Sequence, residues 1–190
     1  MNKMYDVLIS IDIGLTGGIA FFDVSHKEVL AVYEMPSTSE FTSSGRKKGV
    51  LLLNKLRFIL EIPKVHNENA LVVMGNVHAF PGQGSVAMAT LMEQKGIIRG
   101  LCAGLGYDEA QIEPKTWQKY YGLIPPKEIK GGSASKTKTL RKAWLKDNSL
   151  ITARKFFPEW AETKLKPKDA HGLSDALLLG KYYIEENPPM

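Results

Sequence analysis

Residues 8–20 read LISIDIGLTGGIA. The run from Leu8 to Ile13 is apolar enough for a buried strand, yet it carries one carboxylate, Asp12, just before a glycine-rich turn. A buried carboxylate without a partner costs several kcal/mol, so such a group is normally neutralised, hydrogen-bonded or bound to a metal. Asp12 is therefore a candidate functional residue, and a turn cap is its alternative role.

The composition bounds the class of protein. A chain of 190 residues with 44% apolar and 24% charged residues is typical of one globular domain, so we expect a single domain over 1–190. The single cysteine, Cys102, excludes an internal disulfide and a cysteine-based zinc cluster. No apolar run approaches the ~20 residues of a membrane span. We expect a cytoplasmic protein with no membrane partner.

The positive charge is concentrated in one region. The formal net charge is +5, and residues 111–168 contain 14 Lys or Arg against 5 Asp or Glu. Such an excess forms either a solvated surface or a site for a polyanion. The neighbouring Gly, Ser and aromatic residues favour the polyanion.

Apolar patterning divides the chain into strands and helices. We predict strands at 6–13, 18–24, 28–35, 70–77 and 107–113. We predict helices at 50–62, at 86–105, from Pro114, from about Ser135, and through DALLLGKYY at 175–183. Three meandering strands followed by alternating strands and helices predict an α/β fold with a mixed sheet flanked by helices.

Two further segments allow more than one interpretation. Residues 36–49, PSTSEFTSSGRKKG, are predicted to be a polar surface loop, although the basic residues and Phe41 could contact a ligand. In the long helix, Gly96, Gly100 and Gly104 recur every fourth residue. We expect this stripe to pack closely, either onto the sheet or onto a second copy of the chain.

The remaining acids point to a metal. In HGLSDALLL, His171 and Asp175 are four residues apart and therefore share one face of the last helix. With Asp12 they could converge on Mg²⁺ or Mn²⁺, which prefer oxygen ligands. The alternative is an ordinary helix N-terminus, in which Asp169 and Ser174 could share a capping role.

These motifs together carry a family resemblance. The segments DIGLTGGIA (12–20), VVMGNVHAFPGQGS (72–85), IEPKTWQKYYG (112–122) and KDAHGLSDALLLGKYY (168–183) occur in this order. They resemble the RuvC-type Holliday junction resolvases, in particular the phage and bacterial branch with a VHAxPGQG loop. The resemblance covers nearly the whole chain.

The resemblance implies a fold, an activity and a set of site residues. It implies a ribonuclease H-like fold with a mixed five-stranded sheet, a homodimer, and symmetric cleavage of four-way DNA junctions with two Mg²⁺ (or Mn²⁺) ions per site. By position, Asp12 matches the first-strand acid, Asp175 the acid of the last helix, and His171 a neighbouring metal-site residue. His171 would act as a ligand or as a proton shuttle. Asp169 is a further candidate catalytic residue.

One position departs from the family pattern. Where the pattern VxxExVHAxPGQG has a glutamate, this chain has Gly75. The flanking Asn76 cannot replace it, because a slip of one residue points a strand side chain to the other face. The chain is therefore expected to bind junctions but to cut them poorly or not at all, as a natural inactive relative or a deliberately inactivated variant would.

Candidate DNA contacts come from the basic region and from the VHAFPGQG loop. Phosphate contacts and base stacking are the two modes expected of such residues, and Trp117 is expected in the core. The candidates are His78, Phe80, Gln83, Lys115, Lys119, Lys136, Lys138, Arg141 and Lys142.

Two other functions remain open. A protein that binds branched DNA without cutting it is compatible with Gly75. DIGLTGG also resembles the first phosphate loop of actin and hexokinase-like ATPases, although those enzymes close two such domains around ATP and 190 residues supply one.

Overall fold

The structure is a computed structural model that describes residues 4–41, 43, 45, 47–78, 85–166 and 170–187. Its strands are β1 Val7–Asp12, β2 Gly18–Asp23, β3 Glu28–Glu34, β4 Ser37–Phe41, β5 Lys47–Leu51, β6 Ala70–Gly75 and β7 Asp108–Ile112. Five of them form one sheet in the order β3-β2-β1-β6-β7, in which β1 pairs antiparallel with β2 and parallel with β6. The mixed five-stranded sheet and its opening meander are therefore confirmed.

The helices begin and end where the local sequence favours it. They are α1 Leu53–Leu60, α2 Ile62–Val65, α3 Ser85–Gly104, α4 Pro114–Tyr120, α5 Ala134–Phe156, α6 Pro158–Ala161 and α7 His171–Glu186. The Ser133 side chain accepts a hydrogen bond from the Lys136 amide at the start of α5. Pro114 occupies the first turn of α4, where no amide hydrogen is needed. No helix in the described part of the chain is long and apolar enough to cross a membrane.

The sheet lies between two apolar cores because its strand side chains alternate between its faces. Leu8 and Val73 face a core that includes Trp117 and the apolar side of α7. Ile9 and Val72 face the other core, with Leu56 of α1 and Ile98 of α3. The predicted core position of Trp117 is confirmed, since it is 4% exposed.

Helix α7 sits against β1 and the turn that follows it. The buried Ser10 hydroxyl donates a 2.7 Å hydrogen bond to the Ala176 carbonyl. Gly17 and Gly172 form a bridge between the turn and the first residues of α7. A Cβ on Gly18 would lie 2.7 Å from the Gly172 carbonyl oxygen, so only glycine allows this approach.

Residues 37–51 correct the predicted polar loop. Strands β4 and β5 pair antiparallel as a separate hairpin, with Ser37 opposite Leu51 and Phe41 opposite Lys47. The predicted helix at 50–62 begins later, at Leu53, because Val50 and Leu51 belong to β5. Pro63 does not end the helical region but sits in the first turn of α2.

The glycine stripe of α3 does not pack on the sheet. A Cβ added at Gly96, Gly100 or Gly104 would meet no atom within 4 Å among the described residues. The sheet-packing interpretation is therefore wrong, because the apolar residues of α3 that face the core, such as Ile98, lie on another side of the helix.

Replacing Gly172 tests the contact that seats α7. We expect Gly172→Ala to lower the free energy of unfolding by about 2 kcal/mol or more, since its Cβ would overlap the backbone of Thr16 and Gly17. Gly75→Ala is the matched control: its nearest neighbour would be Pro114 Cγ at 3.8 Å, so we expect a change within ~0.5 kcal/mol. Urea denaturation measures the free energy of unfolding of both variants. Equal losses would contradict the role of Gly172 in packing α7 against the turn.

Candidate active site

Two carboxylates from remote parts of the chain meet at one end of the sheet. Asp12 ends β1 on the same face as Leu8 and Ser10, the face that α7 covers. Asp175 lies on α7, one residue before Ala176, whose carbonyl accepts the Ser10 hydrogen bond. The two residues are close enough that the charge of Asp175 raises the pKa of Asp12. The structure thus brings together the two acids that the sequence singled out.

Burial is the main influence on both acids. It raises the pKa of Asp12 well above its usual range, the charge of Asp175 raises it further, and Lys146 lowers it. Burial also raises the pKa of Asp175 to about 6, against the lowering influence of Ser149 and Lys146. Two neighbouring carboxylates with little access to solvent are stabilised by a bound proton or a bound cation.

Lys146 and Ser149 of α5 complete the surroundings of the acids, and the sequence analysis did not single them out. Ser149 is fully buried, and its hydroxyl lies close enough to lower the pKa of Asp175 without reaching hydrogen-bond geometry. The sequence contains a pattern that could have identified Lys146. Lys138, Lys142 and Lys146 recur every four residues along α5, and the buried Ser149 and Leu150 follow them in the same helix.

A cavity of about 590 Å³ shares Lys146 with the surroundings of the acid pair, although neither acid lines it. Its wall combines the turn after β1, the end of β3, the base of the hairpin, α5 and the start of α7. It is lined by Leu15, Thr16, Gly17, Glu34, Met35, Ser37, Lys146, Ala170, His171, Gly172 and Leu173. Its ionisable lining residues are Glu34, Lys146 and His171, which suit a polar ligand.

Three buried polar atoms at the site have no hydrogen-bond partner among the described residues. They are Nδ1 of His171, Oδ1 of Asp175 and Oγ of Ser149. Buried polar atoms are nearly always paired in folded proteins, so each exception calls for a partner such as water or an ion. The His171 and Asp175 atoms belong to residues expected at the metal site.

The Gly75 position lies beside Asp12. Ile11 pairs with Met74 in parallel register, so Asp12 and Gly75 come next on neighbouring strands, which run ~4.8 Å apart. Gly75 also shares the α7 face with Leu71 and Val73. A Cβ there would meet nothing closer than Pro114 Cγ at 3.8 Å, so a side chain fits.

Asn76 and His78 are held on the opposite face. Asn76 Nδ2 donates to Glu113 Oε1 at 2.9 Å, and Lys95 of α3 donates to Asn76 Oδ1 at 3.4 Å. His78 Nε2 lies 3.0 Å from the same Glu113 oxygen. Asn76 therefore turns away from Asp12, as strand alternation requires. In the described part of the chain, no group of three or more His, Cys, Asp and Glu residues is placed to hold a metal ion.

The candidate DNA residues fall into three sets. Lys115, Lys119, Lys136, Lys138 and Lys142 are exposed on α4 and α5. Arg141 instead donates to the carbonyls of Pro126 at 2.9 Å and Pro125 at 2.7 Å, which fixes the loop before α5. With His78 beside Glu113, the third set is Phe80 and Gln83, which lie outside the described residues. The catalytic candidate Asp169 lies outside them as well.

Arg154 ties α5 to the segment that leads into α7. Its Nε donates to the Leu165 carbonyl at 2.9 Å, and its Nη2 donates to the Lys166 carbonyl at 2.9 Å. Leu165 is fully buried in the core on the α7 side. This contact ties α5, the helix that carries Lys146, to Leu165 and Lys166.

The raised pKa of Asp175 predicts a stability change that depends on pH. Its folded pKa of about 6 exceeds its ordinary value of 3.8, so stability falls as pH rises from 3.8 to 6 and the loss is complete above pH 6. In chelator, Asp175→Asn should therefore raise the free energy of unfolding by up to ~3 kcal/mol at pH 8. The gain should shrink as pH falls through 6 toward 3.8. Denaturant titrations across this range measure it, and a gain independent of pH would refute this origin.

Comparisons with known proteins bear on the fold. No protein-family model and no curated protein matches the sequence. Among solved structures, Thermus thermophilus RuvC in complex with a Holliday junction substrate is similar over 95% of this chain and 96% of its own, at 12% identity and a TM-score of 0.50. The yeast mitochondrial Holliday junction resolvase Ydc2 is similar over 96% of this chain and 80% of its own, at 11% identity and a TM-score of 0.52. The chain thus shares the fold of these two resolvases, with its mixed five-stranded sheet flanked by helices, as the motifs implied.

Proposed function

We propose that this chain is a single-domain protein that binds four-way DNA junctions and belongs in function with the junction-resolving nucleases. The observation that carries the proposal is the pair Asp12 and Asp175, brought together on the α7 face beside Lys146 and an open cavity. The motif resemblance assigns catalytic acids to these two positions, and a fold shared with two resolvases supports that assignment. Fold alone would not support an activity, so the acid pair is essential to the argument.

The acid pair suits a divalent cation. Asp175 Oδ1 is buried without a described partner, and both carboxyl groups have raised pKa values that a bound cation would lower. Asp12 and Asp175 would hold Mg²⁺ or Mn²⁺, with two ions per site in a fully active form. Such ions supply a water that is nucleophilic near neutral pH and stabilise the leaving oxygen.

The other site residues would prepare the substrate. Lys146 offsets the negative charge of the two acids and can receive a phosphate of the DNA. His171 lines the cavity, and its Nδ1 has no described partner, so it can coordinate a cation or carry a proton. Asp169 would add a further carboxylate close to His171 in the sequence.

Gly75 should weaken this site. The position next to Asp12 on the neighbouring strand has room for a side chain but supplies no oxygen. Two cations held close together need several carboxylates, because the cations repel each other. We therefore propose that the chain binds junctions and cuts them slowly at best.

A basic track leads DNA toward the acids. Lys138, Lys142 and Lys146 recur every four residues along α5, over a rise of ~12 Å. The exposed Lys136, Lys115 and Lys119 would extend phosphate contacts along α5 and α4. His78, Phe80 and Gln83 would contact the DNA from the loop after β6.

Restoring a carboxylate at position 75 tests the proposed chemistry. We expect Gly75→Glu to raise cleavage of a labelled four-way junction in Mg²⁺ by ~100-fold or more, because the new carboxylate would stand beside Asp12. Gly75→Gln is the matched control, since it has the same size without the charge and should stay as slow as the parent. Gel analysis of the strand products measures the rate.

Three outcomes separate the candidate functions. Junction affinity with no cleavage by Gly75→Glu would favour a non-catalytic binding protein. Equal rates for the Glu and Gln variants would contradict the role of the carboxylate. ATP hydrolysis without junction affinity would favour the ATPase alternative that DIGLTGG allows.

We also propose that the chain forms a homodimer through α3. The open glycine stripe lets a second helix approach closely, and a two-fold arrangement suits a substrate with two equivalent strands. Gly100→Leu should therefore shift the sedimenting mass from dimer to monomer. Ala143→Leu, which enlarges an exposed residue of α5, is the control and should leave the dimer intact. A monomeric parent chain would contradict this proposal.

A further inference from the structure

The proline loop, residues 124–132 with the sequence IPPKEIKGG, connects α4 to α5 and is fixed at its start. Leu123, which precedes it, is 2% exposed in the core on the α7 side. Two consecutive prolines, Pro125 and Pro126, then restrict the backbone. Arg141 of α5 donates from Nη2 to the Pro125 carbonyl at 2.7 Å and from Nη1 to the Pro126 carbonyl at 2.9 Å. The first half of the loop is thus held against α5.

The second half of the proline loop is fixed to the first turns of the same helix. The Gly131 amide donates to Thr137 Oγ1 at 2.8 Å, and that hydroxyl donates to the Gly131 carbonyl at 3.2 Å. A Cβ on Gly131 would lie 2.7 Å from Lys136 Cγ, so the loop backbone lies directly on α5. Between these contacts and the prolines, the Ile129 amide donates to the Pro126 carbonyl at 3.3 Å. The loop is therefore restrained at both ends and within.

The proline loop lies beside the basic track of α5. Thr137 and Arg141, which hold the loop, are four residues apart and share one side of the helix. Lys138 and Lys142 each follow one residue later, which places their row ~100° farther around the helix axis. Arg141 precedes Lys146, whose charge lowers the pKa of both acids, by five residues or ~7.5 Å along the axis. The loop is therefore close to the path on which the basic track would lead DNA to the acids.

The exposed charge of the proline loop suits phosphates. Residues 124–142 contain six Lys or Arg and one acid, the exposed Glu128. Lys127 and Lys130 are exposed on the loop, and neither takes part in an ion pair among the described residues. Exposed lysines on a restrained backbone can contact phosphates with little ordering cost for the loop.

We propose that the proline loop is a preformed phosphate-binding surface, on which Lys127 and Lys130 contact the DNA backbone beside the acid site. Arg141 is a positioning residue, which holds the loop through two carbonyls and contributes to binding through the two lysines. This role differs from the direct DNA contact expected from the sequence, because both terminal nitrogens of Arg141 are bonded to the loop. The inference rests on the proposed junction-binding function.

The salt dependence of junction binding tests the two lysines. The probe is a fluorescently labelled four-way junction, titrated with the full-length protein by anisotropy at several NaCl concentrations. Lys127→Gln and Lys130→Gln should each weaken binding, and each should reduce the slope of log affinity against log salt by ~0.9, the value for one lost phosphate contact. Lys55→Gln, which removes an exposed lysine from α1, is the matched control and should keep the parent slope.

A double-mutant cycle tests the role of Arg141. Arg141→Lys keeps the charge but lacks the planar fork that reaches both carbonyls. We expect it to weaken junction binding by ~2- to 10-fold and to speed amide hydrogen exchange in residues 124–132. Combined with Lys127→Gln and Lys130→Gln, it should weaken binding no further, because the contacts that it positions are already absent.

The outcomes distinguish this inference from the proposed function. Parent slopes for Lys127→Gln and Lys130→Gln would overturn the phosphate-binding surface while leaving junction binding intact. Parent-like binding by Arg141→Lys, or weaker binding without faster exchange in the loop, would overturn the positioning role. A further loss of affinity in the triple variant would overturn that role as well. A parent chain without junction affinity would overturn the proposed function itself, and this inference with it.

Discussion

The close backbone contact between the turn after β1 and the start of α7 determines the geometry of the site. Gly17, Gly18 and Gly172 lack side chains that would hold the two segments apart, and the Ser10 hydroxyl binds α7 one turn farther on. Asp12 ends the strand before the turn, and Asp175 follows Gly172 by three residues. The distance between the acids is therefore set by backbone packing, which is stiffer than any contact between their own side chains.

The electrostatics of the site follow from this packing. Placing two acids in a partly buried position costs free energy. Lys146 and Ser149 offset only part of this cost, because the pKa values of both Asp12 and Asp175 stay raised. A site of this kind has a strong preference for a positive partner. Gly75 supplies no side-chain oxygen beside Asp12, and a Cβ there would meet nothing closer than Pro114 Cγ at 3.8 Å, so the space stays open.

The sequence predicted the sheet, the acid pair and most helices because apolar periodicity and i, i+4 spacing act over short distances. It did not predict Lys146 and Ser149, whose roles depend on how α5 crosses α7. The β4–β5 hairpin was not predicted, because STSEF has exposed polar residues on both faces and no alternation of apolar and polar residues. Its structure depends on pairing with β5 and on contact with Leu15. Of the two partners expected for the stripe Gly96, Gly100 and Gly104, the sheet is wrong and a second copy stays a prediction, since spacing alone does not orient a helix.

Arg154 anchors helix α5 to the segment that follows that helix. By binding the carbonyls of Leu165 and Lys166, it joins α5 to the chain entering α7. The same helix carries Lys146 and Ser149, so the Arg154 contacts restrain the element whose side chains lower the pKa of Asp175. Such preorganisation is the main way in which a folded protein surpasses water as a solvent for ionic chemistry.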